Sequence, residues 1–248
     1  MIICKICEPD YVKFNGKKAS FLKIKSIKRV NNIFELKLFF CNKDMTLKLN
    51  CCAEFEIYNM LCSLILVFNK KLQINDLKII SELKNPSGRL EKIFDKKKIR
   101  VFIDYAHSPD AITKVLSSLK KITSGKLILV FGCGGDRDKL KRNQMTREAL
   151  KYSDIIIITD DNPRFEDPRK IRDDMIRNLK SEDLKKIKVI GNREIAIKKA
   201  VNFLSEQDVL LIAGKGHENY QLIKNKKIFF SDKITAKEYL KKNEYFNY

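Results

Sequence analysis

The chain has 248 residues, of which 44% are hydrophobic, and 51 Lys and Arg face 31 Asp and Glu for a formal net charge of +20. That length and apolar fraction support a buried core, one full domain plus part of another, and a globular rather than disordered chain. No run of about eighteen uncharged apolar residues occurs, and the opening "MIICKICEPDYVKF" is broken by polar and acidic residues, so neither a membrane span nor a signal peptide is expected and the location is read as cytoplasmic.

In chain order, Cys4 and Cys7 come first as a C-x-x-C. The seven cysteines, odd in number and scattered, point to a reducing compartment rather than a disulfide framework. The only two histidines lie far away and no second cysteine pair follows at zinc spacing, so no metal is expected at Cys4 and Cys7. From about residue 20 to 50, apolar and polar residues alternate, punctuated by Asn31-Asn32 and Asn42-Lys43-Asp44, which predicts antiparallel strands joined by tight turns. "EFEIYNMLCSLILVFNK" is apolar on several faces and predicts a well-buried helix, and a second helix is expected from about Asn75 to Lys84. "KNPSG", Lys84 to Gly88, reads as a linker.

Beyond the linker the rhythm changes. Short β-branched runs, "IRVFID", "KLILVF", "DIIIIT", "KKIKVI" and "DVLLIA", alternate with helical stretches, which predicts an α/β fold with a Rossmann-like, mostly parallel sheet and helices on both faces. Ser108-Pro109 and Asp167-Pro168 each set a capping side chain before a proline suited to the first helical position. A hairpin, "YQLIKNKKIFFSD", and a helix from about Asp232 close the chain.

In an open parallel sheet, ligands bind beyond the carboxyl ends of the strands. There the sequence places "DYAHSPD", "GCGGDRD", "DDNPR" and "GKGHENY", which include both histidines, His107 and His217. Gly132, Gly134 and Gly135 are not a dinucleotide fingerprint, because Arg137 stands where G-x-G-x-x-G needs its last glycine, and no phosphate-binding G-x-x-x-x-G-K-[ST] loop occurs. The glycines permit a sharp turn and close approach while Arg137 points into the site. In "DDNPR", Pro163 presents Asn162 and Arg164 at fixed angles, and an arginine fork suits a carboxylate. Glu218 of "GKGHE" offers a negative charge suited to an ammonium. Together these describe a site for an amino acid with more than one charged end; the plainer reading of each loop is capping and loop stabilisation.

Taken in order, "GRLEKI", "DYAHSPD", "VFGCGGDRDKLKR", "TDDNPR" and "AGKGHENYQ" resemble the carboxyl-terminal half of a Mur ligase, of the branch that adds diaminopimelate during peptidoglycan synthesis. The resemblance is dense from about Gly88 onward. It is weaker from about 20 to 85, which resembles the end of the family's central ATP-binding domain. It implies domains at 1–86 and 87–248, and it implies that Arg89 contacts ATP phosphates, Asp104 holds the ribose and Asn59 belongs to the nucleotide site. Arg137, Asn162, Arg164, Gly214 and Glu218 would form the diaminopimelate pocket. The implied cofactors are ATP and Mg²⁺. The implied substrates are meso-diaminopimelate and UDP-MurNAc-L-Ala-D-Glu.

The family's glycine-rich ATP loop, Mg²⁺ ligands and uridine-nucleotide domain have no counterpart here. A separate amino-terminal half chain is therefore an implied partner, and this chain alone is not expected to hydrolyse ATP. In "CAEFEIYN", Phe55 and Asn59 match the family's pattern, while Glu56 replaces an asparagine associated with adenine. Two other readings stand beside a ligase half. One is a non-catalytic diaminopimelate-binding module. The other is a basic nucleic-acid-binding protein, disfavoured because the lysines are spread over almost every segment and no aromatic recognition motif accompanies them.

Overall fold

In a computed structural model of the chain, residues 2–4, 12–14, 17–19, 21–30, 33–68, 71–96 and 98–243 are described, with the backbone alone for 2–4, 12–14, 17–19 and 21. The chain divides into two compact units, Met1–Lys84 and Asn85–Tyr248.

The first unit holds strands β1 (Ile2–Cys4), β4 (Phe21–Val30), β5 (Ile33–Phe40) and β6 (Lys43–Leu49) in one sheet of order β1-β4-β5-β6, and a small hairpin of β2 (Val12–Phe14) and β3 (Lys17–Ala19). The alternation of β5 has its physical counterpart here: Phe34, Leu36, Leu38 and Phe40 fall on one face and are buried. Helix α1 (Glu54–Phe68) lays Ile57, Leu61 and Leu64 into the same core. Each such side chain contributes about 1.5–3 kcal/mol by leaving water.

The β5–β6 turn is tighter than expected. Phe40 pairs with Lys43, and Cys41 and Asn42 between them both have positive φ, 50° and 56°, as a two-residue hairpin turn matched to strand twist requires. The turn predicted at Asn31-Asn32 lies outside the described residues, as do Cys7 and the side chain of Cys4.

Two expectations need correction. Helix α1 is buried on one side only: Leu66 and Val67 are 81% and 77% exposed, because a single sheet covers a single stripe. The helix expected over Asn75–Lys84 is a 3₁₀ segment, Ile74–Ser81. Its polar residues bond the local backbone, Asp76 accepting from the Gln73 N–H at 2.7 Å and the Ser81 hydroxyl donating to the Lys78 carbonyl at 2.6 Å, a competition that disfavours a regular helix.

The second unit is built on a six-stranded sheet of order β11-β10-β9-β12-β8-β7. Its strands are β7 (Glu91–Lys96), β8 (Ile99–Asp104), β9 (Leu127–Phe131), β10 (Ile155–Ile158), β11 (Ile187–Val189) and β12 (Val209–Ala213). All neighbours are parallel except β7, an antiparallel edge strand. β9 and β12 are buried at all five positions, which is why they read as unbroken apolar runs.

One face is covered by α6 (Arg193–Asn202) and α7 (Asp232–Lys242), whose Ala196, Ile197, Ala200, Val201, Ala236 and Leu240 pack on Val101, Ile103, Val130, Ile157 and Ile212. The alternate residues Phe102, Leu129, Phe131 and Leu211 are also fully buried. They face α2 (Pro109–Lys120), α3 (Leu140–Leu150) and α4 (Pro168–Ile176), which bury Leu116, Met145, Ala149 and Met175. A short α5 (Ser181–Leu184) precedes β11, and a hairpin of β13 (Tyr220–Ile223) and β14 (Lys226–Phe229) follows β12. Both predicted caps form, Ser108 accepting from the Ala111 N–H at 3.3 Å and Asp167 from the Arg169 N–H at 2.8 Å. Among the described residues no helix is long and apolar enough to cross a membrane.

Candidate functional site

The loops after β8, β9, β10 and β12 gather at the carboxyl ends of the parallel strands. The glycine loop after β9 lies flush against the loop after β10. The Gly135 N–H donates to the Asn162 carbonyl at 3.0 Å, and a Cβ on Gly135 would stand 2.0 Å from the Pro163 carbonyl oxygen. Only glycine allows this approach. It brings two arginines together: a Cβ on Gly134 would meet Arg164 Nη1 at 2.9 Å and Arg137 Cγ at 3.7 Å. Arg164 Nη1 donates to the Gly135 carbonyl at 2.7 Å, leaving the rest of its fork free. Arg137 is exposed and has no hydrogen-bond or ion-pair partner among the described residues.

Arg164 sits in the left-handed region, φ 49°. A parallel bridge to Ile223 holds it, with the Arg164 N–H donating to the Leu222 carbonyl at 3.0 Å and the Lys224 N–H donating to the Arg164 carbonyl at 2.7 Å. The hairpin thus fixes a conformation that costs an ordinary residue about 1–2 kcal/mol.

Asn162 is the hub of the polar groups below. Its Oδ1 accepts from Lys215 Nζ at 3.0 Å and from the Leu222 N–H at 2.9 Å, and its Nδ2 donates to Glu218 Oε2 at 2.9 Å. Lys215 is fully buried and also reaches Glu218 Oε2 at 3.4 Å. Burial pushes the Lys215 ammonium below its ordinary pKa range against the pull of Asp161, and burial raises the Asp161 carboxyl against the pull of Arg193 and Lys215. Arg193 is itself held by Asp232 at 2.7 Å. Gly214, at φ 109°, runs beside Asp161, whose Oδ2 would be 2.7 Å from a Cβ there. Arg137, Asn162, Arg164, Gly214 and Glu218 are therefore brought to one place, with Asn162 turned inward as a brace rather than outward.

A second group surrounds β8. Asp104 is buried, and its two oxygens accept from the Leu90 and Ala106 N–H groups at 2.6 and 2.7 Å. Burial raises its pKa against these bonds. The exposed Arg89 lies over the Tyr105 ring at 4.5 Å. Tyr105 stacks on His217 at 5.6 Å and meets His107 edge-on at 4.8 Å, so the histidines serve at least as members of one aromatic platform. Gly88 presses on Gly216, where a Cβ would fall 2.3 Å from the Gly216 carbonyl carbon.

Asn59 is exposed on α1 of the first unit. Glu56, three residues before it, is buried, and its Oε2 accepts from the Cys52 and Ala53 N–H groups at 2.7 and 2.5 Å, closing the amino terminus of α1. Burial raises the Cys51 and Cys133 thiols to about 12, which leaves both inert as nucleophiles. The sequence reading missed Lys215, Asp161 and the buried arginines. The one signal for Lys215 was its place between two glycines directly after a strand apolar throughout.

Residues 88–216 match the family described as "Mur ligase, glutamate ligase domain", and the chain belongs to the Mur ligase family. It is similar to UDP-N-acetylmuramoyl-L-alanyl-D-glutamate–2,6-diaminopimelate ligase of Aquifex aeolicus, 38% identical over 96% of this chain and 48% of the relative. It is also similar to ligase 1 of that name from Clostridium acetobutylicum, 36% identical over 94% of this chain and 48% of the relative. A solved ligase of that name aligns with TM-score 0.65 at 31% identity, over 90% of this chain and 46% of that one. The chain spans about half the length of the curated relatives it matches. A Thermotoga maritima MurF ligase in complex with ADP shares the fold, TM-score 0.58 at 16% identity.

Proposed function

We propose that this chain is the diaminopimelate-binding half of an ATP-dependent ligase that joins meso-2,6-diaminopimelate to UDP-MurNAc-L-Ala-D-Glu in peptidoglycan synthesis. The observation that carries the reading is the convergence of Arg137 and Arg164 beside Gly134, next to a glutamate that keeps one carboxylate oxygen free. A carboxylate fits the arginine forks and an ammonium fits Glu218. Diaminopimelate carries a distal carboxylate that lysine lacks, so lysine would leave an arginine unpaired, a mismatch that discriminates strongly. The names of the relatives support the same substrate.

Bound ATP would supply the phosphoryl group that activates the glutamate side-chain carboxylate for attack by the diaminopimelate amine. Toward that nucleotide, this chain offers the exposed guanidinium of Arg89, lying over Tyr105, for phosphates and Asp104 for the ribose through the lone pairs that Leu90 and Ala106 leave. Catalysis by these residues would be positioning and charge stabilisation, with no covalent side-chain nucleophile. Among the described residues no three His, Cys, Asp or Glu side chains group as a metal site, so no step is assigned to Mg²⁺. On this reading 1–86 is the end of the central ATP-binding domain and 87–248 the C-terminal domain. The phosphate loop and the uridine-nucleotide site would come from the other half of the ligase, on the same polypeptide or a separate one.

Calorimetric titration of the folded chain with meso-diaminopimelate and with L-lysine tests the reading: the first is expected to bind and the second to bind at least tenfold more weakly. A folded chain indifferent to meso-diaminopimelate rejects it. Adding the remaining half, taken from the Aquifex aeolicus relative, should restore diaminopimelate-dependent ADP release. Binding without any such release would select the non-catalytic module instead.

A further inference from the structure

Lys215 leaves β12 with its side chain wholly inside the protein, flanked by Gly214 and Gly216, both at positive φ. Its ammonium meets two acceptors, Asn162 Oδ1 at 3.0 Å and Glu218 Oε2 at 3.4 Å, and lies 5.7 Å from the centre of the Tyr220 ring. Glu218 Oε2 thus receives two inner donors, Lys215 Nζ and Asn162 Nδ2. Glu218 Oε1 accepts no hydrogen bond among the described residues, and the Glu218 side chain is 17% exposed, so that oxygen is the outward one.

We propose that Lys215 is a positioning residue of the ammonium subsite. With Asn162 it occupies Glu218 Oε2, so that Oε1 is aimed into the crevice and kept for the substrate amine. It also fixes the Asn162 amide, whose Nδ2 donates to that same Glu218 oxygen, so that both of its contacts act on Glu218. Lys215 itself touches no substrate. The inference rests on the reading of this crevice as an amino-acid site, and it deepens that reading by saying which inner group sets its geometry.

A double-mutant cycle on the full chain tests it, with meso-diaminopimelate affinity read by calorimetry and folding by thermal melting. Lys215→Met and Glu218→Gln should each weaken binding by about 10- to 100-fold. The double variant should bind within about threefold of Glu218→Gln alone, because Lys215 acts through Glu218. A purely structural lysine would give losses that multiply, and that result, or unchanged binding in a folded Lys215→Met, overturns the proposal. The cycle is repeated with Lys215→Gln, whose neutral amide a buried site tolerates, so that an unfolded Lys215→Met does not end the test. Failure of the folded wild-type chain to bind meso-diaminopimelate would overturn the amino-acid reading and this inference together. Binding by the wild type with a multiplicative cycle would overturn this inference alone.

Discussion

Arg142 and Glu166 meet through two parallel hydrogen bonds, Nη1 to Oε2 at 3.0 Å and Nη2 to Oε1 at 2.8 Å. Arg142 is fully buried on α3 and also reaches Asp174 of α4 at 3.0 Å. Glu166 in turn accepts from the Asp136 N–H at 2.6 Å. One guanidinium thus ties the helix behind the glycine loop to the loop that carries Arg164. Arg142→Met should cost about 3–5 kcal/mol, since it leaves carboxylates without the cation they were folded around. Urea unfolding measures the loss, and one below about 1 kcal/mol would show the pair to be ornamental.

The same pair gives the fold an acid limit. The bonds from Arg142, against a smaller burial effect, lower the Glu166 carboxyl from 4.5 to about 2. A carboxyl depressed in the folded state contributes stability that is complete above its unfolded pKa and is lost as pH falls through its folded one. The wild type should therefore lose stability between pH 4.5 and about 2, and Glu166→Gln, already without the charge, should show a shallower fall over that window. Parallel slopes in denaturant titrations across the window would refute the assignment.

Glu56 has a local structural role. Its carboxylate closes the start of α1 on the Cys52 and Ala53 N–H groups, so Glu56→Ala should cost about 1–2 kcal/mol, as the loss of a helix cap does. Glu56→Gln keeps an acceptor and should lose less. Urea midpoints of the two variants decide it, and equal losses would mean that charge rather than acceptance matters.

How much of this was readable beforehand depends on range. The parallel strands were legible because burial on both faces demands unbroken β-branched runs, as in Ile155–Ile158. The caps at Ser108 and Asp167 were legible because capping is settled within a few residues. What needs two distant segments was not. Nothing near Arg142 in sequence announces Glu166, and nothing near Asn162 announces that Lys215, 53 positions on, holds its carbonyl oxygen. Helix α1 misled for the converse reason: it is apolar on several faces, and only the sheet it meets decides that Leu66 stays in water.

Gly88 makes one of the tightest backbone contacts near the site. At φ 69°, a Cβ there would stand 2.1 Å from the His217 backbone nitrogen. Backbone cannot swing aside as a side chain can, so Gly88→Ala should destabilise by at least about 3 kcal/mol through overpacking and left-handed strain together. Gly191→Ala is the control. The nearest atoms to its Cβ would be the end of the Arg172 side chain, from 2.9 Å, which can shift, so about 1 kcal/mol is expected. Thermal melts of the two alanine variants should differ clearly; similar melts would mean that the Gly88–Gly216 contact yields.

Arg164 combines a strained backbone with a free fork, and the two separate under mutation. Arg164→Gly removes the left-handed penalty, worth about 1–2 kcal/mol, but adds unfolded-state entropy and gives up the bond to the Gly135 carbonyl. Thermal stability should therefore change by no more than about 1 kcal/mol. Binding should change far more. A charge-assisted hydrogen bond to a carboxylate contributes about 1.5–3 kcal/mol, so meso-diaminopimelate affinity should fall roughly 10- to 150-fold while lysine affinity stays where it was. The ratio of the two affinities, taken by calorimetry on wild type and variant, is the quantity to compare. If it collapses while the melt barely moves, Arg164 reads the distal carboxylate; if it is preserved, Arg137 alone reads it and Arg164 serves the loop.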